Sequence, residues 1–453
     1  MMSALVRPLR QVPLWAKILL PLGGMLTGLL VIIVAGLDTG ILQTVVAWVI
    51  GVLAANIGVV RFVVAATLIL VITVPTAFLI IYMEMKIIAF INLRIGPNRV
   101  GPWGTLASTV HGLKVLVKED FTPLGVDVGV FTLAPAVTYL ATVMGLLVIP
   151  FAPGLIGQDM NIALLYFFAM GGLTVVGLQM AGWSSFNKYS LLGGLRSAAQ
   201  LISYEIPLTL SVVGVVMLAG TMSLNGIVQA QSGSVLDWFV IRQPLAFAIF
   251  FIAATAEGNR TPFDLTEADS EIVAGAFTEY SGMRFGFFFF AEYVSVFVLS
   301  ALIVTLFFGG WTAPFDWPIP LHWAFNLTNV DWLEVVAALI VVPPIVIAIL
   351  ALPIWFLRSS VRYWQALLIA FGIFNLVVVG AVLLYLVVNL QAVVGLLWFL
   401  AKSYFFVFAF VWMRATLPRI RVDQLMALAW KWMLPASLVN LFVTALAILV
   451  IKP

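Results

Sequence analysis

Carboxylates within apolar segments are the residues of this sequence most able to do chemistry. Glu205 lies a few residues into the apolar run 200–220, and Glu292 lies well inside the run 284–309. A charged side chain at the bilayer centre costs roughly 2.5–3.5 kcal/mol on insertion scales, so such residues are rarely kept without a purpose. They either pass protons along a wet cavity or pair with a neighbouring arginine or lysine, and we favour the first interpretation.

A denser group of acids occupies residues 257–271, with the sequence EGNRTPFDLTEADSE. If the segment is helical after its proline, Asp264, Glu267 and Glu271 share one face of the helix. Clustered carboxylates repel one another, which raises their pKa values toward neutrality and suits proton exchange. Alternatively, Thr266 begins a capping box and the other acids face water. Spacing alone does not separate these two interpretations.

Composition assigns the chain to a membrane class. Of its 453 residues 63% are hydrophobic and only 9% are charged, against about 25% charged in soluble domains. There is no cysteine, which excludes disulfides, thiolate-bound zinc and the usual iron–sulfur clusters. No phosphate-binding, dinucleotide-binding or nucleophile-elbow motif is present either. If the protein takes part in redox chemistry, a partner must carry the electrons.

Apolar runs long enough to cross a bilayer recur along the whole chain. We therefore predict an all-α polytopic membrane protein with about eleven transmembrane helices. The run 42–83 is counted once, as a long or partly interfacial helix. The predicted runs are 18–36, 42–83, 130–151, 162–183, 200–220, 241–256, 284–309, 333–356, 363–388, 393–413 and 429–450.

Along the chain, loops that contain several lysine or arginine residues alternate with loops that contain almost none. Because basic residues are enriched in cytoplasmic loops, this places the N-terminus inside and Lys452 outside. The inside loops 84–129, 184–199 and 257–283 are long and polar, which favours a docking surface for a soluble partner. The net charge is +3, and because the lysines and arginines lie in loops between apolar runs, we do not expect nucleic-acid binding. Residues 105–117 have the mixed polarity of a helix lying along the membrane surface.

Four of the loop and helix-end segments carry extended motifs in a fixed order. They read RIGPNRVG at 94–101, GWSSFNKYSLLG at 182–193, AEGNRTPFDL at 256–265 and RATLPR at 414–419. In these motifs the chain resembles the H-type subunit of proton-pumping NADH–quinone oxidoreductase, which is the quinone-site membrane subunit of respiratory complex I. The resemblance covers about 45–315 and 395–450.

The resemblance implies an eight-helix core with additions. We expect an extra N-terminal transmembrane helix at 1–40, the core of the H-type subunit at 41–316, an inserted transmembrane hairpin at 317–392, and the last two core helices at 393–453. The chain departs from the family at Met85, where the family usually has arginine, and at Asp269, where it more often has glutamate. A role of that arginine in quinone entry therefore does not carry over to Met85.

The resemblance also implies a function and a set of residues. The chain would enclose a quinone chamber together with the soluble Fe–S subunits of the peripheral arm, beside other membrane-arm subunits in a bacterial plasma membrane. Quinone is then a substrate, no cofactor is covalently bound, and Fe–S clusters and flavin belong to partners. The carried-over proton relay is Glu205, Asp264, Glu267, Glu271, Glu279 and Glu292. The residues expected to shape the chamber or dock the arm are Lys86, Arg94, Arg99, Arg196 and Arg260.

Two other functions compete with this one. A stand-alone cation or proton carrier would usually show paired repeats with broken helices, which we do not find in the sequence. An anchor protein of a membrane-bound hydrogenase would be related to the same family but would not need a quinone chamber. The full set of inside-loop motifs favours the quinone-site subunit over both.

Overall fold

The computed structural model describes residues 57–264, 273–314 and 390–451, and within these ranges the chain is helical without a β-strand. The chain divides into two compact units, Met1–Arg61 and Phe62–Pro453, and the site described below lies in the second. The predicted helices at 18–36, 333–356 and 363–388 lie outside the described residues, as do Glu267 and Glu271. The predicted helix over the acidic segment 264–271 therefore stays a prediction.

The described part of the chain holds twelve α-helices. Short 3-10 turns separate some of them, and a π-helical segment at Leu428–Met433 precedes the last helix. The helices are α1 (Ile57–Ile91), α2 (Ala107–Val117), α3 (Val128–Gly145), α4 (Ala163–Ser184), α5 (Lys188–Ala219), α6 (Leu224–Ala230), α7 (Phe239–Arg242), α8 (Pro244–Glu257), α9 (Gly282–Phe307), α10 (Leu390–Thr416), α11 (Val422–Ala427) and α12 (Leu434–Ile451).

Seven of the described helical segments are long and apolar enough to cross a membrane: Thr73–Ile91, Val128–Val148, Ala163–Ser184, Lys188–Ala219, Gly282–Phe307, Val394–Thr416 and Val422–Val450. The shorter apolar helix α8, with 14 residues, matches the predicted run 241–256. A bilayer offers the backbone no water to bond, and a helix satisfies its N–H and C=O groups internally. The prediction of an all-α polytopic membrane protein is therefore confirmed.

Local sequence explains where the central helix α5 begins and ends. At its start the Asn187 side chain accepts a hydrogen bond from the Tyr189 backbone N–H, which is the usual role of an N-cap residue. At its end Gly220 adopts φ 72° and donates its N–H to the Val216 carbonyl. That left-handed cap favours glycine because a Cβ atom is strained there. The helix between these caps is 32 residues long.

Two helices extend into segments that the sequence predicted to be loops. Helix α1 continues to Ile91, so Glu84 and Lys86 lie on its last turns rather than in an inside loop. Helix α5 begins at Lys188, so Arg196 lies on its second to third turn. The loop predictions at 84–91 and 188–199 were wrong because polar residues lowered the local hydropathy, while the backbone continued its helical hydrogen bonding.

The helices pack around an apolar core that α9 penetrates most deeply. Helix α3 lies along α4, α4 along α5, and α5 along α8, while α9 packs against α3 and α10. Phe250, Phe307 and Phe399 are among the largest fully buried side chains. This arrangement brings the C-terminal end of α8 and the N-terminal half of α9 beside the middle of α5. The charged side chains of the site meet there.

Candidate functional site

Three carboxylates from three different helices line one cavity. Glu205 comes from α5, Glu257 is the last residue of α8, and Glu292 comes from α9. The cavity holds about 90 Å³, and a single water molecule needs roughly 10–15 Å³ on the same measure. The hydroxyl-bearing residues among its lining are Thr138, Thr142, Thr174 and Ser295. The rest of the lining is mostly apolar, so the carboxylates and these hydroxyl groups are the places where water molecules would bind.

Glu257 is the residue of this group that sequence reasoning missed. It directly follows the apolar run 241–256, and hydropathy alone assigns it to the start of the acidic loop. In the structure it belongs to α8, and its Oε2 atom is buried without a hydrogen-bond partner in the described part of the chain. Since buried polar atoms are nearly always satisfied, this atom marks a place for a water or a proton. An acid at the last position of an apolar run was the available signal.

Glu292 also belongs to a buried cluster of charges beside the cavity. Its Oε1 atom lies 3.8 Å from Arg260 Nε. Arg260 Nη1 lies 3.3 Å from Glu84 Oε2, and Arg414 Nη1 lies 2.6 Å from Glu84 Oε1. Two carboxylates thus balance two guanidinium groups. Breaking such a cluster is costly because it leaves a buried charge without compensation.

Arg260 is the centre of this cluster. Its side chain is only 5% exposed, and its guanidinium carbon lies 4.3 Å from the centre of the Tyr293 ring. Its Nη2 atom has no hydrogen-bond partner in the described ranges. Glu292 therefore pairs with an arginine and also lines the cavity, and its part in proton passage stays a prediction.

The start of the acidic loop is fastened to neighbouring elements. Gln200 on α5 donates from Nε2 to the carbonyls of Ala256 and Phe263, at 2.8 Å each. Asp264 accepts a hydrogen bond from Arg419 at 3.2 Å. Its own Oδ1 atom is buried and lacks a partner among the described residues. The loop therefore leaves the cavity along a fixed path toward the segment that follows α10.

Glu279 lies in a different environment from the cavity carboxylates. Its Oε1 atom accepts a hydrogen bond from Asn187 Nδ2 at 2.7 Å, and it does not line the cavity. Beside it, Tyr280 stacks on Phe131 at 4.0 Å and donates its hydroxyl to the Phe131 carbonyl. Burial raises the pKa of Tyr280 to about 12, so its hydroxyl remains a neutral donor at physiological pH. This region anchors the loop between the acidic segment and α9.

The basic residues predicted to shape a chamber separate into several environments. Arg94 is exposed and lines a second recess of about 310 Å³, together with Glu84. Lys86 lies over the Tyr82 ring at 5.9 Å. Arg99 is exposed, and Arg196 is half-buried on α5. Arg260, in contrast, joins the carboxylate cluster through its ion pairs.

These features define a polytopic helical membrane protein with an acid-lined cavity beside a charge-balanced buried cluster. Comparison with known proteins agrees with this class. A family model described as NADH dehydrogenase matches residues 63–445. The H-type subunit of NADH-quinone oxidoreductase from Brevibacillus brevis is 41% identical over 387 residues, covering 85% of this chain and 93% of the relative.

Two further relatives carry the same description. The protein from Geobacillus kaustophilus is 42% identical over 363 residues, covering 80% of this chain and 86% of the relative. The protein from Dehalococcoides mccartyi is 41% identical over 377 residues, covering 83% and 84% respectively. The chain therefore belongs to the family of H-type subunits of NADH-quinone oxidoreductase, which are membrane subunits of complex I.

Proposed function

We propose that this chain forms the membrane wall of a quinone chamber and couples quinone reduction to proton translocation. The observation that carries the proposal is the meeting of Glu205, Glu257 and Glu292 in one cavity, with Glu292 also 3.8 Å from Arg260. The cavity supplies groups that hold protons. The arginine supplies an electrostatic link from these groups to the acidic loop on the inside.

The chemistry of the substrate explains why both parts are needed. Reduction of a quinone to a quinol takes two electrons and two protons. We expect the electrons to come from soluble Fe–S partner subunits, and the absence of cysteine from this chain agrees with that source. Charge that develops beside the inside loops acts on Asp264 and Arg260, and Arg260 in turn acts on Glu292 and Glu84. A change in this balance alters which cavity carboxylate holds a proton.

The remaining sequence predictions belong to the same proposal. Glu267, Glu271 and Glu279 extend the relay along the inside loop, and Lys86, Arg94, Arg99 and Arg196 shape the chamber or dock the soluble arm. The chain sits in a bacterial plasma membrane with its N-terminus in the cytoplasm. The predicted hairpin at 317–392, which lies outside the described residues, would face lipid and pack against another subunit of the membrane arm.

The test uses membranes that contain the native assembly. NADH-dependent quinone reduction and proton uptake are followed together, with and without an inhibitor that blocks the chamber. We expect Glu257→Gln to assemble normally and to lower inhibitor-sensitive turnover at least roughly tenfold, since positioned acid–base groups contribute that much or more. Glutamine keeps the shape of the side chain but cannot exchange a proton.

Asp159→Asn is the matched control. Asp159 is exposed and accepts hydrogen bonds from Ser223 and Asn225, away from the cavity. The control should keep full activity. Normal turnover and proton pumping in Glu257→Gln would contradict the relay. Activity of the assembly that does not depend on quinone would favour the hydrogenase-anchor function.

A further inference from the structure

The C-terminal end of α9 is capped by side chains from other elements. The last carbonyl groups of a helix have no partner within it, and in a bilayer no water replaces that partner. Gln231 donates from Nε2 to the Thr305 carbonyl at 3.1 Å and to the Leu306 carbonyl at 3.2 Å. Lys402 on α10 donates to the carbonyl of Phe308, directly after the helix, at 2.7 Å. Two side chains thus serve the carbonyls at this helix end.

Lys402 makes more contacts than a simple cap needs. Its Nζ atom also donates to the Gly310 carbonyl at 3.1 Å and to the Thr312 carbonyl at 2.7 Å. The same atom lies 4.4 Å from the centre of the buried Trp238 ring. Among the described residues no carboxylate forms an ion pair with Lys402. Its charge is therefore balanced there by backbone dipoles and an aromatic face.

Two consecutive glycines shape the backbone that presents these carbonyls. Gly309 has φ 66° and Gly310 has φ 55°, in the left-handed region that glycine tolerates best. A Cβ atom at Gly309 would lie 2.8 Å from Trp238 Nε1, and one at Gly310 would lie 2.7 Å from Val228 Cγ2. The turn is therefore built around the lysine and the ring, and other residues would not fit it.

We propose that the carbonyls of Phe308, Gly310 and Thr312, with the Trp238 ring, form a monovalent-cation site that Lys402 fills with its own ammonium group. Backbone carbonyls hold potassium ions in channel filters, and indole faces attract cations. The C-terminal end of a helix also favours positive charge. The tethered cation fastens α9 to α10. The site is independent of the proposed function.

The test separates a cation site from an ordinary hydrogen-bonded cap. Lys402→Ala opens the site, and the assembled complex is held at a raised temperature in N-methylglucamine chloride. We expect its half-life to fall on the order of tenfold relative to the natural sequence, about the effect of one charge-assisted hydrogen bond. Potassium or ammonium chloride at the same ionic strength should restore most of the loss, because these ions fit the site.

Arg242→Met is the control for loss of a cation elsewhere. Arg242 is 46% exposed and pairs with Asp237, so its loss should not create a response to potassium. A half-life of Lys402→Ala that is unchanged, or equally short in every salt, overturns the proposal. If that variant does not assemble, Lys402→Gln decides the matter. Glutamine keeps N–H donors but carries no charge. A half-life of Lys402→Gln equal to that of the natural sequence would show that a neutral hydrogen-bonded cap is sufficient, and would overturn the cation site.

Discussion

At the scale of single residues, the main feature of the site is that buried charges of opposite sign lie next to one another. Arg260 and Glu84 are 5% and 10% exposed at the side chain, and they are 176 positions apart in the sequence. A buried ion pair adds little net stability over apolar packing, but the loss of one partner is costly. The cluster of Glu84, Glu292, Arg260 and Arg414 must therefore be treated as one unit.

Glu84→Gln should destabilise the complex by about 3 kcal/mol, the lower end for a broken buried pair, because Arg414 is partly exposed. The double variant Glu84→Gln with Arg414→Gln restores the charge balance and should recover part of that loss. The measurement is a double-mutant cycle on thermal dissociation of the assembled complex. Asp237→Asn, in an exposed pair, should have no measurable effect, and strict additivity of the two site variants would contradict the cluster.

Sequence reasoning reached some of these residues and missed others for a physical reason. Glu205 and Glu292 could be singled out because an acid inside an apolar run violates local hydropathy. Glu257 violates it less, since it stands at the boundary of its run. The pairing of Glu84 with Arg260 and Arg414 leaves no local pattern, because each residue lies in an ordinary polar segment. The proton-relay role of all of them stays a prediction.

At the scale of elements, α5 makes close contact with the segment that leads to α9. A Cβ atom at Gly193 would lie 2.6 Å from the backbone N of Ala276 and from Gly275 Cα. The same segment carries Glu279, which bonds to Asn187 at the start of α5. The close approach at Gly193 therefore fixes where the segment around Gly275 and Ala276 lies against α5.

Gly193→Ala should displace the segment 275–277 and lower both assembly and quinone reduction, because the obstructing atoms are backbone and cannot rotate away. Gly172→Ala is the matched control, since nothing lies within 4 Å of its Cβ position. Alanine is also preferred to glycine within a helix, by about 1 kcal/mol. The yield of assembled complex and its turnover are measured for both. Equal yield and equal turnover of the two variants would show that the close contact at Gly193 does not matter for assembly or activity.

At the scale of the whole molecule, the alternating basic loops predict which face each loop occupies. The order of the described spans agrees with the predicted runs from 42–83 to 284–309 and again from 393 onward. Their orientation across the membrane is a prediction from the positive-inside rule. It places 84–129 on the cytoplasmic face and 220–241 on the outer face.

The absence of native cysteine makes this orientation easy to test. Asn98→Cys lies in the first predicted inside loop and Ser232→Cys lies in an outside loop, and both positions are exposed. A membrane-impermeant maleimide should label Ser232→Cys in whole cells, whereas Asn98→Cys should react only in inverted vesicles. The protein is separated by electrophoresis before detection. Labelling of Asn98→Cys in intact cells would reverse the predicted topology.

The sequence by itself determined the environment and the kind of fold. An apolar fraction of 63% with 9% charge requires a bilayer, and a bilayer requires helices. Both follow from hydropathy, which is a local property that the order of residues displays directly. The loop motifs are also visible in the sequence, and they indicated the family without knowledge of the structure. The absence of cysteine agreed with that family.

Only the tertiary structure decided which charges meet. It brought Glu257 to the cavity with Glu205 and Glu292, joined Glu84 on α1 to Arg260 and Arg414, and enclosed Lys402 in carbonyls beyond α9. Such contacts depend on how helices far apart in the chain pack. The contacting residues are far apart in the sequence and no local pattern links them. Their contacts therefore follow only from the tertiary packing of the helices.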